Sequence, residues 1–298
     1  MKKLFFLSVM LTAAMAASAQ MKIAPKMEKG MKRVYNTVST TAIPGQKEVK
    51  ITTDQQFTVT EATADGFVVD VETTTFSSDV TPDNIAGQLV SSAAELMKGI
   101  NVRVATNKDG KPEKIVNYEE LKPKMDRMGD QIIEKLSQLI PQISQMLPKD
   151  ALKQQLMENM SEKQLLRSMQ GASSVMALNG KTVMTGAQED YVNEQGMKMK
   201  RMYFVNGKNV VTNSSMNMSN DELKALIIAQ VEKAAPDQAE MVKQNIDTLM
   251  QSGMLKMDMK ETATYDIQDD GWVKAATVDM TLDTMGQSTK SHTVITGK

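Results

Sequence analysis

The side chains best able to do chemistry in this sequence are thioethers. The 298-residue chain holds 27 methionines and no cysteine. Several methionines alternate along segments that read as strands: Met197 and Met199, Met216 and Met218, and Met257 and Met259 behind Leu255. Side chains of a strand alternate between its two faces, so each of these sets shares one face. Lys198, Lys200, Lys256, Asp258 and Lys260 fall on the opposite phase and are expected in water. Tyr203 continues the methionine phase of its own strand. The expected ligand-binding face is therefore apolar, made of Met197, Met199, Tyr203, Met216, Met218, Leu255, Met257 and Met259. Methionine is flexible and polarisable, and surfaces rich in it repack around varied lipophilic partners. The plainest alternative is a methionine-packed core. A third is a cuprous-ion site, because soft thioethers select Cu(I). The Met-x-Met spacing follows from strand alternation alone, so neither metal nor cofactor is expected.

The remaining reactive residue types form no catalytic set. Glu119–Glu120, Glu189–Asp190 and Asp269–Asp270 are adjacent pairs. Neighbours on a strand point apart, which makes such pairs poor acid–base dyads, and Asp269–Asp270 reads as a turn. The single histidine, His292, has no second histidine to share a metal, and no G-x-S-x-G stretch is present. Asn107-Lys108-Asp109-Gly110 superficially resembles a calcium loop, but Ala105 stands where its first acid is required. The lone tryptophan, Trp272, follows a turn glycine and reads as a hairpin anchor. These residues point away from an enzyme.

The elements that must position the methionines follow from periodicity and turn chemistry. Residues 20–30 read as a loose leader. Residues 31–76 are rich in β-branched residues and turn at Asp65–Gly66, a strong hairpin signal. A helix is expected from Thr81–Pro82 to Gly99, then a hairpin over 100–116 turning at Asp109–Gly110. Apolar residues recur every three or four positions through 118–170, with Pro141 and Pro148 as breaks and Ser161-x-x-Gln164 as a capping box. Residues 181–218 return to strands, with 181–192 as one of them and a turn at Asn206–Gly207. Ser219-Asn220-Asp221-Glu222 caps a helix, and Pro236 opens another. Strands resume over 254–298, turning at Asp270–Gly271. Short hairpins imply antiparallel pairing, and helices arriving in blocks imply an α+β fold. The expectation is a large antiparallel sheet, open or half-barrel, with helices packed on one face. Residues 20–298 are expected to form a single α+β domain with a helical insertion at 118–170.

Residues 1–19 read as a secretion signal. Lys2 and Lys3 precede a short apolar run, and Ala17-Ser18-Ala19 is a small-x-small cleavage site before Gln20. The run falls short of the ~20 residues that a spanning helix needs, and no transmembrane segment is expected elsewhere. Without this segment the chain carries 33 basic and 36 acidic residues. That near-neutral balance argues against nucleic acid as a partner. The expected location is periplasmic or secreted, where the absence of cysteine removes disulfide bonds from the stability account.

The ASAQ ending of this signal, and the block Glu95–Met125 with its strand–DGK–strand leading into a long helix, resemble a family of exported Bacteroidota proteins of similar length. That family is a domain of unknown function, and the resemblance supplies no activity and no functional residues. The layout is more distantly similar to the periplasmic lipoprotein-carrier (LolA-like) fold, which implies acyl chains held between a curved sheet and helices. The expected function is a non-enzymatic carrier of an apolar ligand, such as a lipid or a lipidated partner. The alternatives are an envelope protein that acts by protein–protein contact around a dry core, and a copper binder.

Overall fold

Valine and threonine are the commonest residues of the long strands β3 (Val49–Ala62) and β4 (Gly66–Ser78), and their shape suits a pleated, half-buried surface. The structure is a computed structural model that describes residues 20–45, 47–79, 99–139, 149–234, 236–252, 256–284 and 286–298. The secretion signal, the helix expected over 81–98, the breaks at Pro141 and Pro148, and Leu255 lie outside the described residues.

Eleven antiparallel strands form one sheet. Its first half is β2 (Lys32–Ala42), β3 (Val49–Ala62), β4 (Gly66–Ser78), β5 (Asn101–Asn107) and β6 (Pro112–Ile115). Its second half is β8 (Gln188–Val192), β9 (Lys198–Asn206), β10 (Asn209–Met216), β11 (Met257–Ile267), β12 (Val273–Thr284) and β13 (Gln287–Gly297). The spatial order is β6-β5-β4-β3-β2-β13-β12-β11-β10-β9-β8, so β2 and β13 join the halves and the edges are β6 and β8. Those edges do not pair with one another, and the sheet is not a closed barrel.

The register aligns the buried phase of each strand into rows. One row runs Tyr203, Thr212, Ala263, Val278 and Thr293 across β9 to β13, and all five are buried. Tyr35, Phe57, Val71 and Val104 carry the core through the other half.

Five helices complete the described fold: α1 (Tyr118–Leu139), α2 (Lys149–Asn159), α3 (Glu162–Gln170), α4 (Asn220–Ala234) and α5 (Pro236–Gln251). Leu121, Met125, Met128, Gly129 and Ile133 make the buried stripe of α1 at the three-to-four spacing of a core-facing helix. α1 packs on α2 and reaches β5, α2 touches α4, α4 pairs with α5, and α3 lies against β6. The mixture of one large sheet and packed helices is that of an α+β fold.

Both expected caps form. At α4 the Glu222 backbone N–H donates to Ser219 Oγ at 3.2 Å, and the Ser219 N–H donates to Glu222 Oε2 at 2.9 Å. This reciprocal pair satisfies two donors that a helix start leaves orphaned. Ser219→Ala is expected to cost about 1 kcal/mol of stability, read as a lower urea midpoint at unchanged slope. At α3 only half of the box closes. The Gln164 N–H donates to Ser161 Oγ at 3.4 Å, while the Gln164 side chain donates instead to the Glu194 carbonyl at 2.6 Å.

Two expectations need correction. Residues 20–30 are no loose leader. Gln20–Lys22 form a strand, β1, paired with β7 (Thr182–Met184), and Ile23 and Met27 are buried beyond it. Nor is 181–192 one strand. Gly186, at φ +83°, breaks it into β7 and β8, and its N–H donates to the Tyr203 carbonyl at 2.8 Å. The hairpin at Asp65–Gly66 does form, though its glycine serves close approach and not a positive φ. A Cβ on Gly66 would meet the Thr106 carbonyl oxygen at 1.9 Å.

Candidate functional site

The methionine face forms in the second half of the sheet. Met197, Met199 and Met259 are buried together, with Met216, Met218, Met257, Met280, Tyr191, Leu226 and Leu282 packed around them. Met199 stands opposite Met216 on β10 and Tyr191 on β8, and Met259 opposite Leu282 on β12. Asn193 Nδ2 lies 3.2 Å from Met259 Sδ. Six of the eight expected face residues are thus brought together. Tyr203 belongs to the other buried cluster, and Leu255 is outside the described residues.

Between Met199 and Tyr203 on the inward phase of β9 stands Arg201, 3% exposed. The register sets Glu189, Arg201, Ser214 and Glu261 side by side across β8 to β11. Arg201 Nε donates to Ser214 Oγ at 3.3 Å, and the guanidinium lies over the Tyr191 ring at 4.1 Å. Its Nη1 and Nη2 come within 3.9 Å of Glu189 and 3.6 Å of Glu261. Ser214 and Tyr191 hydroxyls both reach Glu261 Oε1, at 3.3 and 3.4 Å. Glu189 is bound more closely elsewhere. Lys181 Nζ donates to both of its oxygens at 2.7 Å, and the Tyr203 hydroxyl donates to Oε2.

Burial pushes the Glu189 carboxyl up, but Lys181, Tyr203 and Arg201 outweigh it and hold it below the usual carboxylate range. Burial lowers the Lys181 ammonium despite Glu189. Glu194 goes the other way, raised by burial and by the Glu261 charge.

These groups line a cavity of about 380 Å³. Arg201, Glu189, Glu194, Glu261 and Lys181 form its charged wall, and Met176, Met259 and Met280 its apolar wall. One side comes from residues 171–181, which run in successive turns yet bury Ala172, Val175, Met176, Ala177 and Leu178. Such a segment must satisfy its backbone by specific bonds. The Tyr265 hydroxyl donates to the Ala172 carbonyl at 2.8 Å, Asn179 Nδ2 to the Gly110 carbonyl at 3.3 Å, and the Gly180 N–H to the Ile23 carbonyl at 2.8 Å. Gly171 leaves room for the Glu194 carboxylate in this position. A Cβ there would fall 2.0 Å from Glu194 Oε1.

Reasoning from sequence alone missed the charged row. Its signal was a charge on the apolar phase: Arg201 between Met199 and Tyr203, and Glu261 between Met259 and Ala263. Ser214 has an acid neighbour, and His292 instead sits half-exposed on β13 with Nδ1 2.7 Å from Asp279. Among the described residues no group of three or more His, Asp or Glu side chains is placed to hold a metal ion. No described helix is long and apolar enough to cross a membrane. Trp272 is buried, its Nε1 donating to the Lys26 carbonyl at 2.9 Å.

No family model matches the chain, and no curated protein matches it. Three solved structures are similar at low levels. A lipovitellin, from a structure of its lipid–protein interactions, is 8% identical with a TM-score of 0.41, over 92% of this chain and 25% of that one. The chain thus spans about a quarter of that lipovitellin's length. The S-type phycobiliprotein lyase CPES of Guillardia theta is 7% identical with a TM-score of 0.20, over 89% and 86% of the two chains. A porin-like protein of Bacteroides uniformis is 8% identical with a TM-score of 0.18, over 89% and 95%.

Proposed function

We propose that this protein is a non-enzymatic carrier that holds an apolar ligand, a lipid or the lipid part of a partner, against the methionine side of its cavity. The observation that supports this reading is the wall of Met176, Met259 and Met280 around a cavity of about 380 Å³. Thioether walls adapt to chains of varied shape at small cost in strain. In this reading the protein works in the periplasm or beyond, after cleavage between Ala19 and Gln20. Residues 20–298 form one domain, 118–170 are a helical insertion, and the helices cover one face of the sheet.

Native mass spectrometry of residues 20–298, purified without detergent and then incubated with a bacterial lipid extract, tests the reading. Discrete adducts of lipid mass are expected. Met280→Glu places a carboxylate on the apolar wall and is expected to reduce adduct occupancy about tenfold or more, with the thermal unfolding transition retained. A clean mass after incubation overturns the carrier reading and leaves a dry-core protein that works by contact.

A further inference from the structure

Arg201 is anchored on three sides and left short on the fourth. Ser214 fixes Nε, Tyr191 lies under the guanidinium plane, and the β9 register holds its backbone between β8 and β10. Yet Nη1 and Nη2 reach the nearest carboxylate oxygens only at 3.9 and 3.6 Å, beyond hydrogen-bonding distance. A guanidinium offers five N–H donors in a planar fork, and here the Nη donors border the cavity with no carboxylate at bonding distance. This one is 3% exposed, and it lines the cavity. The charges around it do not cancel. Lys111, Arg167, Lys181 and Arg201 line the cavity against Glu189, Glu194 and Glu261, a surplus of one positive charge. Lys181 is already spent on Glu189 through both carboxylate oxygens. Of the four cations Arg201 alone is fully buried, and its Nη atoms stand beyond hydrogen-bonding distance of both carboxylates.

We propose that the cavity receives the acidic head of its ligand, a carboxylate or a phosphate, with Arg201 as the residue that binds it. The Nη pair matches two oxygens of such a group, a geometry that lysine cannot reproduce. Glu189 and Glu261 hold the guanidinium in place from a distance without using its donors. Met259 and Met280 then face the rest of the ligand, a part of the inference that rests on the carrier reading. The ligand class is an acidic amphiphile. A neutral lipid would leave the Arg201 donors unmet.

Isothermal titration of the purified protein with five probes separates the two claims: dodecanoate, dodecyl phosphate, dodecanol, acetate and inorganic phosphate. Dodecanoate or dodecyl phosphate is expected to bind at least about tenfold more tightly than dodecanol, the worth of one charge-assisted bond or more. The double variant Arg201→Met with Glu261→Gln removes one charge of each sign. It is expected to bring the two acids down to the dodecanol level. If it lacks the wild-type thermal transition, Arg201→Lys keeps the charge and loses the fork. That variant is expected to weaken both acids and leave dodecanol unchanged. Equal binding of dodecanol and the acids, untouched by either variant, overturns the acidic head while the carrier reading stands. Binding of acetate or inorganic phosphate that depends on Arg201, with no gain from the alkyl chain, keeps the anion site and overturns the carrier. Silence from all five probes overturns both.

Discussion

Arg201→Met is expected to lower the unfolding free energy by about 3–5 kcal/mol, read from urea denaturation at neutral pH. Methionine fills much of the same space, so the loss is electrostatic. Glu261, at 12% side-chain exposure, would keep its charge in a buried site with only the Ser214 and Tyr191 hydroxyls in reach. Removing one partner of a buried pair costs far more than removing both. Adding Glu261→Gln should therefore recover most of the loss. The row also carries a pH dependence through Glu189. In wild type the Glu189 pKa is held below its ordinary value, so its contribution is complete above the unfolded carboxylate range and fades as pH falls through the depressed pKa. A loss under about 1 kcal/mol at neutral pH would mean that the row behaves as a solvated surface network.

Trp272→Ala should be comparably severe, at about 3–5 kcal/mol, for a different reason. The indole is 1% exposed and fills the turn end of the β11–β12 hairpin. Its Nε1 donates to the Lys26 carbonyl, and the Lys26 N–H donates to the Asp270 carbonyl at 2.7 Å. Gly271, at φ +82°, brings this turn so near Ala24 that a Cβ would sit 2.7 Å from its carbonyl oxygen. Alanine at 272 removes both the filling and one of the ties on residues 23–27. Hydrogen exchange is the decisive readout. The amides of Ile23 and Lys26 should lose more protection than those of β12 and β13. Uniform loss across the sheet would show that the leader is held by β1 and β7 alone.

Much of the sheet was legible because its turns carry explicit chemistry. Asp109–Gly110 and Asn206–Gly207 place glycine at φ +79° and +57°, where other residues are strained. Alternation then told which phase of β9, β10 and β11 is buried. The segments that failed lack both signals. Gln20–Lys22 is too short to show a period, and its partner β7 lies far along the chain. Residues 171–181 contain apolar residues with neither a helical nor a strand repeat, since their burial comes from the elements around them. For the site, attention to methionine found the cluster around Met199 and Met259, of whose eight expected residues only Met259 lines the cavity. That attention passed over Arg201 and Glu261 because a strand period assigns sides and says nothing of which charges meet. Their meeting depends on the register between β9, β10 and β11, with α4 and α5 intervening between the last two.

The junction of β2 with β13 bears on how such a sheet is assembled. The hydroxyls of Ser39 and Thr293 lie 2.9 Å apart although the residues are separated by 254 in the sequence. Most other ladders join strands that follow one another, so their contacts are local and inexpensive in loop entropy. This ladder closes the longest loop, a cost that grows as about (3/2)RT ln n. The highest contact order therefore lies in this seam and in the β1–β7 pairing, and two sets of hairpins can mature before these close. The registers within each half are written locally. The alignment of one half with the other rests on Lys290–Gly297 and the residues of β2 they face, together with the β1–β7 pair and the ties of Lys26 to the 270–272 turn.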